Sequence, residues 1–255
     1  MSESLLELEQ LTKRFGGLLA VDCLSFVVDH GEICAVIGPN GAGKTTLFNI
    51  IAGEQKPNAG TVRLEGDDIT GLPDYGVARR GIGRAFQLVH LFDSMSVADN
   101  VLLGAEDHRQ LRIISATTHL GGHRRRMQMA RARAEEALSL VGIKHLAHRA
   151  IGSLSLGQQR LVGAARALAS RPRLLLLDEP AAGLSHGELD VLRAAILGVR
   201  SAQTSVLIVE HNVEFVLSFC DRVVVMNFGR KIAEGRPDEI RHSEAVIEAY
   251  LGRKH

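Results

Sequence analysis

The chain has 255 residues, with 30 basic side chains against 29 acidic ones and a formal net charge of +1, so no whole-molecule field draws it toward nucleic acid or anionic lipid. That length can bury a main body with a smaller inserted lobe, while no apolar run reaches the roughly 18 residues of a membrane-crossing helix. Cys23, Cys34 and Cys220 are far apart and odd in number, which argues against a disulfide framework and predicts reduced thiols at buried positions. The acidic start Met1-Ser2-Glu3-Ser4 has none of the features of a secretory signal, so a cytoplasmic protein is expected.

Leu5 to Leu8, Ser25 to Val28 and Thr61 to Leu64 read as short strands of an antiparallel sheet, with a turn at Lys56-Pro57-Asn58-Ala59-Gly60. Four apolar runs, Ile33 to Ile37, Leu174 to Leu177, Val206 to Val209 and Val223 to Met226, have the composition of strands buried on both faces and alternate with helical stretches. A parallel sheet is therefore expected. From about residue 88 to 156 the pattern turns helical, with Arg124 to Val141 amphipathic, and this stretch is predicted as an inserted helical lobe. Its Arg124-Arg125-Arg126 run, with Arg131 and Arg133, lacks aromatic partners for base stacking and reads as a solvated helix face. After Gly235 there are two short helical patterns ending at Tyr250-Leu251.

Directly behind Ile33 to Ile37 stands Gly38-Pro39-Asn40-Gly41-Ala42-Gly43-Lys44-Thr45-Thr46. A glycine-rich turn between strand and helix lets backbone N–H groups surround phosphate oxygens, aided by the N-terminal end of the helix dipole. Lys44 adds a compact charge for β- and γ-phosphates, and the Thr45 hydroxyl suits Mg²⁺. Leu174 to Leu177 ends in Asp178-Glu179-Pro180, delivering two carboxylates to a strand's carboxyl end, where ligands collect in such sheets. Asp178 suits the shell of a magnesium ion, and Glu179 suits a water-directing base for attack on a γ-phosphate. His211, just after Val206 to Val209 and Glu210, sits where a third strand end would aim a ring at the same pocket.

Leu154-Ser155-Leu156-Gly157-Gln158-Gln159-Arg160 places a hydroxyl and a glycine N–H at a helix start, a second anion-binding arrangement. This segment resembles the signature of the ATP-binding-cassette ATPases, and the resemblance covers essentially the whole chain. It implies an α/β fold with a phosphate-loop NTPase core (RecA-like, a mixed sheet with an antiparallel β subdomain) plus an inserted helical subdomain. One ATPase domain spans 1–255, its core at 1–87 and 157–255 and its helical subdomain at about 88–156.

The resemblance also implies roles. Gln87, in Arg84-Ala85-Phe86-Gln87, is similar to the Q-loop glutamine that senses Mg²⁺ and the attacking water, and His211 to the switch histidine that holds the γ-phosphate. Phe15 stacks on adenine. Asn40, Gly41, Gly43, Lys44, Thr45 and Thr46 surround the phosphates of ATP, Mg²⁺ is held by Thr45, Gln87 and Asp178, and Ser155, Gly157 and Gln158 meet the ATP of a second subunit. Two departures stand out: Leu156 fills a slot that is commonly glycine, and Gly183-Leu184-Ser185-His186 replaces the commoner Ala-Leu-Asp loop.

The implied assembly is a homodimer, or a heterodimer with a paralogous ATPase subunit, that closes on ATP and opens after hydrolysis. It drives two integral membrane permease subunits and, through them, a periplasmic solute-binding protein. Nucleic acid is not an expected partner, and the location is the inner face of the cell membrane. Leu88 to Phe92 offers apolar residues for a short helix of the permease. Arg14 to Leu18, Pro180 to Leu184 and Ala249-Tyr250-Leu251-Gly252 look most like the ATP subunits of branched-chain amino-acid importers. The alternatives are a urea or amide importer, a lipopolysaccharide-extraction transporter, or a non-transport cassette protein acting on nucleic acid or the ribosome.

Overall fold

Alternation along β3 (Ile33–Ile37) organises the molecule. Ile33, Ala35 and Ile37 face one apolar cluster while Cys34 and Val36 face another, all fully buried, because successive side chains of a strand point to opposite faces. The computed structural model describes residues 4–85, 91–105 and 120–251.

A six-stranded sheet is built around β3 in the order β10-β9-β3-β8-β7-β6. Its members are β6 (Ile82–Ala85), β7 (Leu174–Asp178), β8 (Ser205–Glu210), β9 (Arg222–Asn227) and the edge strand β10 (Arg230–Gly235). All pairs are parallel except β9 with β10. The four apolar runs thus lie side by side in one sheet. Two strands went unseen in the sequence: β6 is only four residues long and carries Gly83 and Arg84, and β10 is polar because it lies at an edge.

On one face lies a four-stranded antiparallel sheet, ordered β2-β1-β4-β5, from β1 (Ser4–Phe15), β2 (Leu18–Asp29), β4 (Ala59–Leu64) and β5 (Asp67–Asp68). It packs with α1 (Lys44–Ile51) through Leu6, Val28, Phe48 and Val62. The first two strands run much longer than the short segments expected, since a two-residue connection at Gly16-Gly17 lets the hairpin continue through polar residues. The pairing slips between Leu8 and Leu11 and again near Cys23, where Gln10 and Cys23 take left-handed φ values of 50° and 47°, as bulges do. The second slip leaves Cys23 exposed, against expectation, whereas Cys34 and Cys220 are buried and all three thiols are free.

The other face carries α3 (Val97–Ala105), α4 (Leu120–Leu140), α5 (Leu156–Leu168) and α6 (His186–Ser201), joined in one cluster by residues such as Val101, Ala137, Val162 and Ile196. Arg124, Arg125, Arg126 and Arg131 of α4 are exposed. Ser155 and Ser185 begin α5 and α6 with reciprocal capping boxes to Gln158 and Glu188, which satisfy backbone N–H groups that a helix start would otherwise leave open. The chain also forms α2 (Asp74–Arg80), α7 (Val213–Leu217), α8 (Pro237–Arg241) and α9 (Glu244–Leu251).

Candidate functional site

The carboxyl ends of β3, β7 and β8 are level: Ile37 pairs with Glu210 and Asp178 with Val209. The loop 38–43, the Asp178-Glu179 pair and His211 consequently leave the sheet at one end, the carboxyl end of its parallel strands.

The phosphate-loop backbone needs its glycines at two points. Gly43, the residue capping α1, has φ 98°, and a Cβ there would lie 2.1 Å from the Ala20 carbonyl oxygen. A Cβ at Gly38 would lie 2.2 Å from that of Met226. Asn40, Gly41 and Thr45 are exposed around the loop and Thr46 is half-buried. The buried Lys44 Nζ donates to the carbonyl oxygens of Gly38 (2.6 Å) and Pro39 (3.0 Å). Burial lowers its pKa, while the carboxylates of Glu179 and Glu210 act to keep it charged.

Asp178 is buried, and that burial raises its pKa; the Arg84 guanidinium opposes the shift from 3.1 Å. Arg84 reaches Asp178 from β6, meets Glu54 at 2.6 Å and Asn49 at 3.1 Å, and lies over the Phe48 ring. Glu179 departs from the strand with a left-handed φ of 44°, a conformation that costs about 1–2 kcal/mol for a residue with a Cβ. Its N–H donates to Val209 O at 2.8 Å. His211 Nδ1 stands 3.8 Å from carboxylate oxygens of both Glu179 and Glu210.

Glu210 is fully enclosed, and burial pushes its pKa up. Three backbone N–H groups donate to it, those of Ala181 (2.6 Å), His211 (3.1 Å) and Asn212 (3.3 Å). Arg160, from α5, donates to the Pro180 carbonyl oxygen at 2.8 Å.

At the signature segment, Ser155 and Gln158 serve each other as helix caps. The Ser155 hydroxyl also donates to Glu188 Oε1 at 3.0 Å, and the Gly157 N–H lies against the same carboxylate. Glu188 further accepts from the N–H (3.1 Å) and hydroxyl (2.9 Å) of Ser185. Leu156 is exposed beside this group.

Phe15, at the end of β1, is 45 % exposed with Lys13 Nζ 5.1 Å from its ring centre, so it is a surface platform and not a core aromatic. Gln87 lies outside the described residues, as do Leu88, Val89 and His90 of the expected permease groove; Phe92 is exposed under Arg166. The sequence reading passed over Arg84, Arg160, Glu188 and Glu210. The available signal for Glu210 was a charge at the end of an otherwise apolar strand.

The residues also fit a magnesium ion. No cluster of three or more His, Cys, Asp or Glu side chains able to hold a metal exists among the described residues. Thr45 offers a hydroxyl and Asp178 a strand-end carboxylate, oxygen donors of the kind that suit Mg²⁺ beside triphosphate oxygens and water.

Comparison with known proteins gives these features a context. The family model described as "ABC transporter" matches residues 21–182 and that described as "Branched-chain amino acid ATP-binding cassette transporter" matches 230–255. The chain is 42% identical over 253 residues to the high-affinity branched-chain amino acid transport ATP-binding protein BraF of Pseudomonas aeruginosa, covering 99% of both chains. It is 40% identical over 253 residues, again 99% of both, to LivG of Escherichia coli, whose name describes the same activity. The crystal structure of the ADP conformation of an ATP-binding cassette from an ABC transporter superposes with a TM-score of 0.84 at 32% identity, covering 98% of this chain and 99% of the other. Phosphate loop, acid-tipped strand, signature segment and C-terminal extension all fall within these matches, and the chain belongs to the ABC transporter family as an ATP-binding-cassette ATPase.

Proposed function

We propose that the chain hydrolyses ATP to power a branched-chain amino-acid importer whose membrane-spanning subunits are separate polypeptides. One observation carries this reading: Lys44, Asp178, Glu179 and His211 gather at the carboxyl ends of β3, β7 and β8 in a chain similar over its full length to BraF and LivG.

Lys44 exchanges its loop carbonyls for β- and γ-phosphate oxygens of ATP, helped by the loop N–H groups at Asn40, Gly41, Gly43, Thr45 and Thr46. Thr45 and Asp178, with Gln87, would hold Mg²⁺, which would supply charge neutralisation for the triphosphate. Glu179 accepts a proton from the attacking water, His211 faces the γ-phosphate, and Phe15 stacks on adenine. Ser155, Gly157 and Gln158 receive the γ-phosphate bound to a second ATPase subunit, identical or paralogous, so ATP favours the closed pair and its cleavage releases it. The helical subdomain at about 88–156 and the core at 1–87 and 157–255 move within that cycle. The chain sits on the inner face of the cell membrane, two integral permease subunits receive the motion, and a periplasmic binding protein supplies the solute. No helix among the described residues is long and apolar enough to cross a membrane.

The test is reconstitution with the permease pair and binding protein in lipid vesicles. Leucine uptake should require ATP and vanish with Glu179→Gln, which should still retain nucleotide. Uptake of urea or short amides in place of leucine would reassign the cargo. Wild-type phosphate release by Glu179→Gln would remove that residue from the base role.

A further inference from the structure

The peptide group joining Pro180 to Ala181 is held at both ends by ionisable side chains from two other elements. Its carbonyl accepts from Arg160 Nη1 of α5 at 2.8 Å, and its N–H donates to Glu210 Oε1 of β8 at 2.6 Å. This peptide lies one residue beyond Glu179, whose φ of 44° is left-handed. A non-glycine residue stays in that region only where its surroundings over-determine it. Upstream the Glu179 N–H is fixed to Val209 O at 2.8 Å, and downstream its carbonyl accepts the Ala182 N–H at 3.2 Å while the two side chains hold the intervening Pro180–Ala181 peptide.

Glu210 does more than hold the turn. Its other oxygen accepts the N–H groups of His211 and Asn212, so one enclosed carboxylate keys the Glu179 turn and the His211 loop to each other. Arg160 lies in the helix that Ser155 caps, which joins the signature segment to the same peptide.

We propose that Arg160 and Glu210 are positioning residues that clamp the Pro180–Ala181 peptide and thereby aim the Glu179 carboxylate at the attacking water. The proposal rests on Glu179 being the base. Neither residue is among those assigned above to the nucleotide, so loss of either should lower turnover more than binding. In Glu210→Gln the carboxamide presents one acceptor oxygen to donors that now meet two, and its NH₂ opposes an N–H. Displacement of a reacting group by about 1 Å costs up to about 100-fold in rate.

Steady-state ATPase and fluorescent-nucleotide titration of the full chain test this. Glu210→Gln and Arg160→Met should each lower kcat by about 10- to 100-fold with KM and nucleotide affinity within about twofold of the parent, and Arg160→Lys, which can still donate to Pro180 O, should recover part of the loss. In a Glu179→Gln background, adding Glu210→Gln should cause no further loss, because residues acting through one group are non-additive. Unchanged kcat, affinity falling in step with kcat, or multiplied losses in the double variant would overturn the clamp. Should Glu210→Gln fail to fold, the Arg160 pair decides alone. If Glu179→Gln itself keeps wild-type turnover, the base assignment fails; if it abolishes turnover while the Arg160 and Glu210 variants are normal, the clamp alone fails.

Discussion

Arg84 Nη2 lies 3.1 Å from Asp178 Oδ2 with both side chains largely enclosed, 13% and 7% exposed. Burial raises the Asp178 pKa, and the guanidinium is the first charge opposing that shift. Arg84→Met would leave the acid without this partner, and removing one member of an enclosed pair costs more than the pair contributes, here about 2–4 kcal/mol. Urea unfolding without nucleotide should show that loss, and a change below about 1 kcal/mol would mean that Asp178 finds other compensation.

Lys44 should be needed for binding and not for folding. Its ammonium is buried against two carbonyl oxygens, and burial lowers its pKa against the pull of Glu179 and Glu210. Lys44→Ala removes a phosphate charge together with its desolvation cost, so nucleotide affinity should fall about 10- to 100-fold. The unfolding midpoint should stay near that of the parent. Equal affinities in a fluorescent-nucleotide titration would exclude Lys44 from the phosphate site.

Glu188 predicts a specific acid sensitivity. The Ser185 N–H, the Ser185 hydroxyl and the Ser155 hydroxyl hold its pKa below the ordinary 4.5. The folded chain therefore binds fewer protons there than the unfolded chain as the pH falls past that value. The stabilisation is present above about pH 4.5 and is lost as pH drops through the depressed folded pKa. Melting temperatures compared at pH 7 and pH 4 should differ less in Glu188→Gln than in the parent, and an equal or larger difference would contradict the assignment.

Thiol accessibility should separate the cysteines. Cys23 is exposed while Cys34 and Cys220 are buried, and burial raises both of the enclosed thiols well above their ordinary range. One equivalent of a maleimide should react in the native state and three after unfolding. Rapid native labelling of Cys34 would mean that the central sheet opens.

Most of the architecture was legible because it rests on strong, local patterns. Four uninterrupted apolar runs cannot be satisfied except inside a sheet covered on both faces, and the loop 38–46 carries its chemistry in consecutive residues. Edge strands are different. β6 and β10 are short or polar since pairing on one side relieves them of full burial, so periodicity does not announce them. The length of β1 and β2 was missed for a related reason: strand partners override the weak preference of polar residues.

Lys44 and Asp178 could be proposed from sequence because each sits at a motif-fixed place beside an apolar strand. Arg84, Arg160, Glu188 and Glu210 draw their meaning from partners 94, 20, 33 and 29 positions away. Only the folded chain brings such pairs together. Phe15 shows the converse: its exposure is a property of the hairpin end, which the residue type alone does not reveal.

A single carboxylate, that of Glu188, caps its own helix at Ser185 and also takes the hydroxyl that opens the neighbouring one at Ser155. Two doors therefore swing on one pin. The starts of the two helices thus share one surface side chain, a link made outside both apolar clusters.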